Sequence, residues 1–304
     1  KEPQDVPFEK EGQYLKSDNR SNISYFLEHN VLLRRFTLSV GVLANYNSAL
    51  NEGIHFYPGI DASYRIGDNF RLYGSWNRAL RMPTFTDLYY EGKTNKGNPD
   101  LKPEESEAFE VGLKYNTYFL RAHIAGFYRK GKNMIDWVKE KPEDIWESRN
   151  LTKVDNLGFE TNLSLLPREL GNERFFIRKI ELGYAFIHQD KDSEGYISNY
   201  ALDYLKHKFT AQLSHSIWKG FSATWYVRWQ DRAGSYTKYE NLKPAYEEPY
   251  APYCLVDMKV NWEYQRLNLY AELNNLLNST YYDLGNIPQP GIWFKAGFRY
   301  SFKY

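Results

Sequence analysis

The chain has 304 residues, 39 Lys and Arg against 38 Asp and Glu, and a mean hydropathy of -0.68. The near-zero net charge of +1 excludes a nucleic-acid partner. No stretch approaches the ~18 consecutive apolar residues of a membrane helix, and the single cysteine, Cys254, excludes an intramolecular disulfide and a cysteine-rich metal cluster. Aromatic content is high at 17%, with 27 Tyr, 18 Phe and 8 Trp, which suits rings held half in water and half in an apolar layer.

The chain opens KEPQDVPFEK, charged and broken by proline, with no secretion signal in view. From about residue 20 onward the pattern is a period of two, the mark of strands with one apolar face. Phe36, Leu38, Val40, Val42 and Ala44 share a face, and Thr37, Ser39 and Gly41 take the other. Phe109, Val111, Leu113 and Tyr115 oppose Glu110, Gly112 and Lys114. Phe221, Ala223, Trp225, Val227 and Trp229 oppose Ser222, Thr224, Tyr226, Arg228 and Gln230, and Leu267 to Leu273 repeats the theme. The final run Ile292–Tyr304, IWFKAGFRYSFKY, is the clearest: its odd face carries Lys295, Arg299 and Lys303, and its even face is apolar and aromatic throughout.

The pattern predicts thirteen strands, at 20–32, 34–46, 54–66, 69–80, 103–116, 118–136, 150–166, 174–189, 204–217, 220–232, 250–263, 266–277 and 291–303. Each is near the ~10 residues that cross a bilayer at a tilt. Their links alternate in length. Short links fall at Leu33-Arg34, Gly67-Asp68, Asn116-Thr117, Pro167 to Glu173, Lys219-Gly220 and Tyr264-Gln265. Long, polar links fall at Tyr46 to Gly53, Arg81 to Lys102, Gly131 to Arg149, Gln189 to Leu202, Asp231 to Glu248 and Asn278 to Pro290. Short turns at one rim and long loops at the other describe an outer-membrane β-barrel, which no hydropathy scan detects because only alternate residues meet lipid. By this count Lys1 to Lys16 lie on the long-loop side, as part of an extracellular loop, and Tyr304 lies on the short-turn side. Bacterial single-chain barrels have an even strand number, so thirteen strands imply a partial barrel over 1–304.

Two stretches carry a resemblance. LYGSWNRALRMPTFTDLYY from Leu72, followed by GNPDLKPEESEAFEVGLKY to Tyr115, resembles the strand–loop–strand signature of TonB-dependent outer-membrane receptors. NLTKVDNLGFETN, Asn150 to Asn162, resembles the opening of a later strand in that family. Asn275-Leu276-Leu277-Asn278 with Tyr281-Tyr282 and the aromatic end is similar to its last hairpin, and the closing run Tyr281 to Phe294 most resembles the cobalamin-type members. The resemblance implies a fold: the C-terminal ~13 strands of a 22-stranded transmembrane antiparallel β-barrel plugged by an N-terminal domain, with neither plug nor TonB box in this chain. It implies partners: membrane lipid and lipopolysaccharide, the plug of the same protein, the TonB complex acting through that plug, and a small-molecule nutrient. It implies a place, the bacterial outer membrane, and a function, import of a scarce large nutrient such as cobalamin or an iron chelate, with no enzymatic step and no cofactor.

The residues themselves offer little chemistry. The six histidines have no metal-ligand spacing, and no nucleophile elbow or phosphate-binding loop is present. Pro83, Pro99 and Pro103 read as punctuation between strands, and Gly158 and Gly297 as places of close backbone approach. Arg121, Glu110, Lys114, Arg228, Glu272, Lys259 and Arg299 fall on the inward face, where charges pair with a neighbour or with a plug. Binding sites are usually built from loops on a rigid scaffold. The long links carry Tyr89, Tyr90, Trp146, Arg149, Tyr236, Tyr239 and Tyr246, the candidate ligand-binding set, with Tyr196, Tyr200, Tyr250 and Arg232 nearby. For any one of these the bland alternative is a polar loop or a girdle position. Three rival classes stay open on residues alone: a complete small porin-like barrel, an outer-membrane barrel enzyme, and a soluble β protein.

Overall fold

In the computed structural model, the residues described are 19–48, 53–141, 143–171, 174–192, 195–198, 204–240, 243–285 and 287–302. Lys1 to Lys16 and Tyr304, whose rims were predicted, lie outside them. Thirteen strands follow one another along the chain: β1 Asn22–Leu32, β2 Phe36–Asn47, β3 Ile54–Ile66, β4 Phe70–Arg81, β5 Glu104–Asn116, β6 Leu120–Lys139, β7 Trp146–Leu165, β8 Ile177–Asp192, β9 Leu205–Ser216, β10 Phe221–Arg232, β11 Tyr253–Tyr264, β12 Leu267–Asn274 and β13 Trp293–Tyr300. They form one antiparallel meander in which each strand pairs with the next. Among the described residues β1 pairs only with β2, and β13 only with β12, so the sheet they form is open. β1 begins at the long-loop rim, opposite Asn47, and β13 runs towards the short-turn rim, as the link lengths predict. No helix among the described residues is long and apolar enough to cross a membrane, so the crossing elements are the strands.

The register separates the faces. Phe36, Leu38 and Val40, Phe109, Val111 and Leu113, Trp225 and Val227, and Phe294 and Phe298 share the outer face with their cross-strand neighbours. Val111, Phe294 and Phe298 are 63%, 62% and 73% exposed. Isolated in water this would be an aggregating surface, and in lipid it is the solvated one. Aromatic rings mark both edges of the apolar band. At the short-turn rim Phe70 packs on Tyr115, Phe175 on Phe176, and Phe221 on Trp262, which stacks on Tyr264. Nearer the long loops Trp76 faces Phe109, and Phe159, Tyr184, Phe186, His207 and Trp229 form one cluster. Phe70 to Trp76 and Phe221 to Trp229 are six to eight residues apart, roughly 20–27 Å along a strand at ~3.4 Å per residue. With the 35–45° strand tilt of such barrels this is roughly 14–22 Å along the membrane normal, so the rings fall within the ~25 Å apolar band and its borders.

The inner face is polar and self-paired. Tyr73 donates its hydroxyl to Glu110 at 2.7 Å and lies 2.7 Å from His123 Nε2, under the Lys114 ammonium. Glu272 takes both Lys259, at 2.7 Å, and Lys295, at 2.5 Å. An aromatic ring covers a glycine of the next strand at several points. A Cβ on Gly158 would meet the Phe127 ring at 2.5 Å, and one on Gly297 would meet Tyr270 at 2.5 Å. The close approach read from these two glycines in the sequence is thus present, and the ring takes the place of the missing side chain.

Two predicted loops are corrected. Gly131 to Arg149 is not a loop: β6 and β7 each run 20 residues and are joined only through Glu140–Ile145. Likewise β8 continues to Asp192. Here the β6 and β7 strands are covered by neighbouring links, with Ile135, Asp136, Val138, Ser148 and Leu151 buried, so neither face meets lipid, no period of two is imposed, and the stretch reads as a polar loop. At ~3.3 Å per residue, about half of the β6–β7 hairpin projects past the apolar band.

Candidate functional site

The long-loop rim is where the sequence places ligand capture, and its candidates fall into two groups. The first is built on the link between β4 and β5. Arg81, the last residue of β4, grips Glu104, the first of β5, with Nε to Oε2 at 2.6 Å and Nη2 to Oε1 at 2.5 Å. Glu104 is buried and also accepts from the Ile135 amide at 2.8 Å, which ties the base of the link to the projecting hairpin. Beyond Pro83 the chain makes a helical turn, Phe85–Tyr89, that the sequence reading missed. Its signal was present as Thr84 followed three residues later by Asp87. The Thr84 hydroxyl accepts from the Asp87 amide, and the Asp87 carboxylate accepts from the Thr84 amide, a capping box. Leu88 of this turn packs with Leu101 and Ile135, and Tyr89 leans on that small core. Tyr90 meets Trp137 edge-on at 6.2 Å. Asn95–Lys96 then adds a short parallel pairing to Trp146 and Glu147.

The same hairpin carries Trp146 and Arg149, so both stand on strand β7 rather than in a loop. The Lys139 ammonium sits 4.5 Å from the Trp146 ring centre. Arg149 bonds Glu147 through Nη2 at 2.9 Å, donates to the Tyr196 hydroxyl, and lies 4.9 Å over the Tyr196 ring. The hydrogen bonds that Arg149 donates to the Glu147 carboxylate raise the guanidinium pKa above its ordinary value. Ile197–Ser198 pairs with Lys139 and Val138 and brings Tyr196 into place. Between them is a hollow of about 190 Å³ lined by Lys139, Glu140, Asp144, Glu147, Arg149 and Tyr196. Tyr89, Tyr90, Trp146 and Arg149 are therefore brought onto one wall, held by main-chain pairing as well as by their rings.

The second group sits on the link after β10, which forms a hairpin, Ser235–Glu240 with Lys243–Pro249. Tyr236 is 6% exposed. Its ring lies 5.2 Å from both Tyr250 and Tyr282, and its hydroxyl donates to Glu248 at 3.1 Å. Tyr281, in turn, packs on Tyr253 at 4.6 Å. Two successive long links are thus clamped by tyrosines, and Tyr236 serves that clamp. Tyr239 and Tyr246, at 52% exposed each, take no part in the clamp and stand open. Tyr281, Tyr282, Lys238 and Glu248 were not in the candidate set. The Tyr281-Tyr282 pair beside Asn278 was the available signal. Tyr200, named as a neighbour, lies outside the described residues.

The clamp has a defined pH response. Lys238 binds Glu248 at 2.7 Å, and this bond holds the Glu248 carboxyl below its ordinary value. An acid lowered by folding stabilises the fold above its unfolded value, and that contribution is lost as pH falls through the lower, folded value. Protection factors at residues 235–249, with exchange corrected for its intrinsic pH dependence, are therefore expected to be unchanged from about pH 8 to 5 and to fall only in acid below about pH 4, the ordinary carboxylate range. Loosening already near neutral pH would show that another group holds the hairpin.

The charges, rings and hollow of this rim provide contact surface and hydrogen bonds. Among the described residues no group of three His, Cys, Asp or Glu is placed to hold a metal ion.

Comparison with known proteins gives the wall its family. The family model "TonB dependent receptor-like, beta-barrel" matches residues 3–276. The vitamin B12 transporter BtuB of Vibrio vulnificus (strain YJ016) is 26% identical over 225 residues, covering 56% of this chain and 36% of that protein. The ferrienterobactin receptor of Escherichia coli (strain K12) is 22% identical over 297 residues, covering 88% of this chain and 38% of the receptor. Among solved structures, the ferric enterobactin receptor PfeA of Pseudomonas aeruginosa superposes with a TM-score of 0.73 at 19% identity, over 93% of this chain and 46% of that one. The chain thus spans a little over a third of the length of these two relatives. The relatives named are a transporter and two receptors, and the superposition shows that the thirteen-strand sheet has the fold of the corresponding part of the solved receptor. The chain belongs to the TonB-dependent receptor β-barrel family.

Proposed function

We propose that this wall belongs to a TonB-dependent importer of a scarce, large nutrient, such as cobalamin or an iron chelate. The observation that carries the reading is the long-loop rim, where aromatic and cationic side chains are held in fixed positions above a lipid-facing wall. Tyr and Trp supply contact area at low entropy cost, and Arg149 and the open Tyr239 and Tyr246 supply hydrogen bonds and ring faces. In this reading the ligand is captured outside and an N-terminal plug fills the lumen against the polar inner face. The TonB complex pulls on that plug from the periplasm. Membrane lipid covers the apolar band. Lipopolysaccharide meets the charged ladder above it, where Arg78 pairs with Glu107 and Lys153 with Asp190. Both nutrient classes stay within the proposal, because the named relatives include a vitamin B12 transporter and a ferrienterobactin receptor.

The test is binding and uptake by the full-length receptor with labelled cobalamin and labelled ferric chelates, compared with a Tyr239→Ala/Tyr246→Ala double variant. Loss of two open aromatic contacts is expected to weaken binding of the true ligand by about tenfold or more, since ring truncations at binding hot spots cost ~2 kcal/mol. The outer-membrane level of the variant should not change. Absence of binding to either class, or an unchanged affinity, would remove this rim from the reading.

A further inference from the structure

Strands β3 and β4 part before they reach the long-loop rim. Their last pair is Gly59 with Asn77, although β3 starts nearer the rim, at Ile54, and β4 runs on to Arg81. Beyond that pair β3 keeps only β2, as far as Tyr46, and β4 keeps only β5, as far as Glu104. Pro58 stands at the fork. The Arg65 amide donates to the Arg35 carbonyl oxygen on the β2 side, so odd residues of β3 turn to β2 and even ones, Pro58 included, turn to β4. Pro58 has no N–H to give, and the ladder to β4 stops there.

The fork opens into a hollow of about 700 Å³ on the inner face of β1 to β4. Gly41 and Gly59, matched across β2 and β3, line it without side chains. The Phe26 ring lies 3.2 Å from where a Cβ on Gly41 would sit, and Tyr57 adds a second ring. Four amides complete the lining, Asn22, Asn45, Asn47 and Asn77. Asn45 is 6% exposed. Its Nδ2 donates to Asn22 Oδ1 at 3.0 Å and to the Ser24 hydroxyl at 2.9 Å, and its own Oδ1 is buried without a partner. The Tyr57 hydroxyl is buried without a partner as well. The side chains of Asp61 and Asn77, both exposed, bond no other described residue. The charges of the lining balance, Arg20 and Arg78 against Glu28 and Asp61. Arg78 is held by Glu107 at 3.3 Å, and Arg20 donates to the Pro83 carbonyl oxygen at 2.7 Å and lies over the Phe85 ring.

This inventory selects a class of ligand. A balanced charge set gives an ion no net attraction. Buried polar groups in folded proteins nearly always have a partner, and Asn45 Oδ1 and Tyr57 find none within the wall. An amide donates and accepts in one plane, and a carboxylate accepts at both oxygens. Neighbouring hydroxyl groups, each able to donate and to accept, match that set. A floor of two glycines beside an aromatic ring suits the flat C–H face of a sugar ring. The volume is within the roughly 300–1,000 Å³ of small-ligand pockets.

We propose that this fork is a carbohydrate site. A neutral saccharide lies on Gly41 and Gly59 against Phe26, with its hydroxyls shared among Asn45, Tyr57, Asp61 and Asn77. Two sources supply such rings at this rim. One is the sugar headgroup of an outer-leaflet glycolipid, entering between Pro58 and Arg78. The other is a free saccharide entering from the long-loop side.

The experiment is saturation-transfer NMR on the full-length receptor in an amine-oxide detergent, which carries no sugar. The probes are free maltotriose and the dephosphorylated, lipid-free core oligosaccharide of lipopolysaccharide. Protons of at least one probe are expected to receive saturation. A response to maltotriose assigns a free saccharide, and a response to the core alone assigns the glycolipid headgroup. Gly59→Leu should abolish the transfer by filling the floor. The strand accepts a side chain there, because a Cβ would meet only Asn77 Cβ at 3.7 Å and the Trp76 carbonyl oxygen at 3.9 Å. Asp61→Ala/Asn77→Ala fills nothing and should weaken binding by about tenfold, the effect of losing two hydrogen bonds. If Gly59→Leu does not reach the heat-modifiable form, the double variant decides. No transfer to either probe in a heat-modifiable receptor would overturn the proposal. So would transfer that persists unchanged in the variants. Tyr239→Ala/Tyr246→Ala, which probes nutrient capture, should transfer as the unaltered receptor does, so either reading can fail without the other.

Discussion

The 304-residue chain expressed alone is expected to yield no closed barrel in detergent. In gel electrophoresis it should show no heat-modifiable band and no protease-resistant core. The reason lies at the two ends of the sheet. Among the described residues β1, with eleven residues, and β13, with eight, each have one side without a partner strand. About half of the backbone groups of such a strand point outwards. Each unpaired group in hydrocarbon costs several kcal/mol, so the two edges together cost on the order of tens of kcal/mol in a bilayer. In water, edges of this length flanked by Phe294 and Phe298 recruit other chains. Supplying the additional strands should restore the heat-modifiable form. A stable, monodisperse closed barrel from residues 1–304 alone would overturn the partial-barrel reading and favour a small porin-like protein.

Gly158→Ala is expected to be the most damaging single-methyl change within a strand of the wall. A Cβ at Gly158 would lie 2.4 Å from the Phe186 carbonyl oxygen on β8 and 2.5 Å from the Phe127 ring on β6. The ring can turn away, but the carbonyl belongs to a paired strand and cannot move without parting β7 from β8. Overpacking of this kind costs about 1–3 kcal/mol, and losing the Phe127 contact adds to it. Gly126→Ala is the control. It lies on β6, and the nearest atom its Cβ would meet is the Gly158 carbonyl oxygen at 3.9 Å, an ordinary contact. In the full-length receptor the first change should lower the temperature of the heat-modification step by several degrees, and the second should leave it within error. Equal behaviour of the two would mean that the wall breathes enough to absorb a methyl group at Gly158.

The wall was largely legible before any coordinates. Inside a bilayer, water and lipid impose opposite demands on alternate residues, and a strand such as β10 or β13 has no other way to meet them. Strand number, antiparallel order and the identity of the lipid face therefore follow from periodicity and link length. Within the candidate site the reading was less complete. Tyr89, Tyr90, Trp146 and Arg149 were named one by one, but nothing in their spacing shows that they share a wall. Asn95–Lys96 lies some fifty residues from Trp146, and only the folded chain brings them side by side.

Periodicity and link length yielded the antiparallel strands, one continuous apolar face and one rim of long loops, and the family resemblance made that face the lipid side of an outer-membrane wall. That determination holds because the bilayer acts on every second residue locally. The tertiary structure alone decided three other features. The polar stretch after Gly131 continues as a projecting hairpin, Tyr236 is buried as a clamp while Tyr239 and Tyr246 stay open, and cations scattered from Arg178 to Arg299 gather into one basin. Each depends on contacts between residues far apart in the chain, which no local period records.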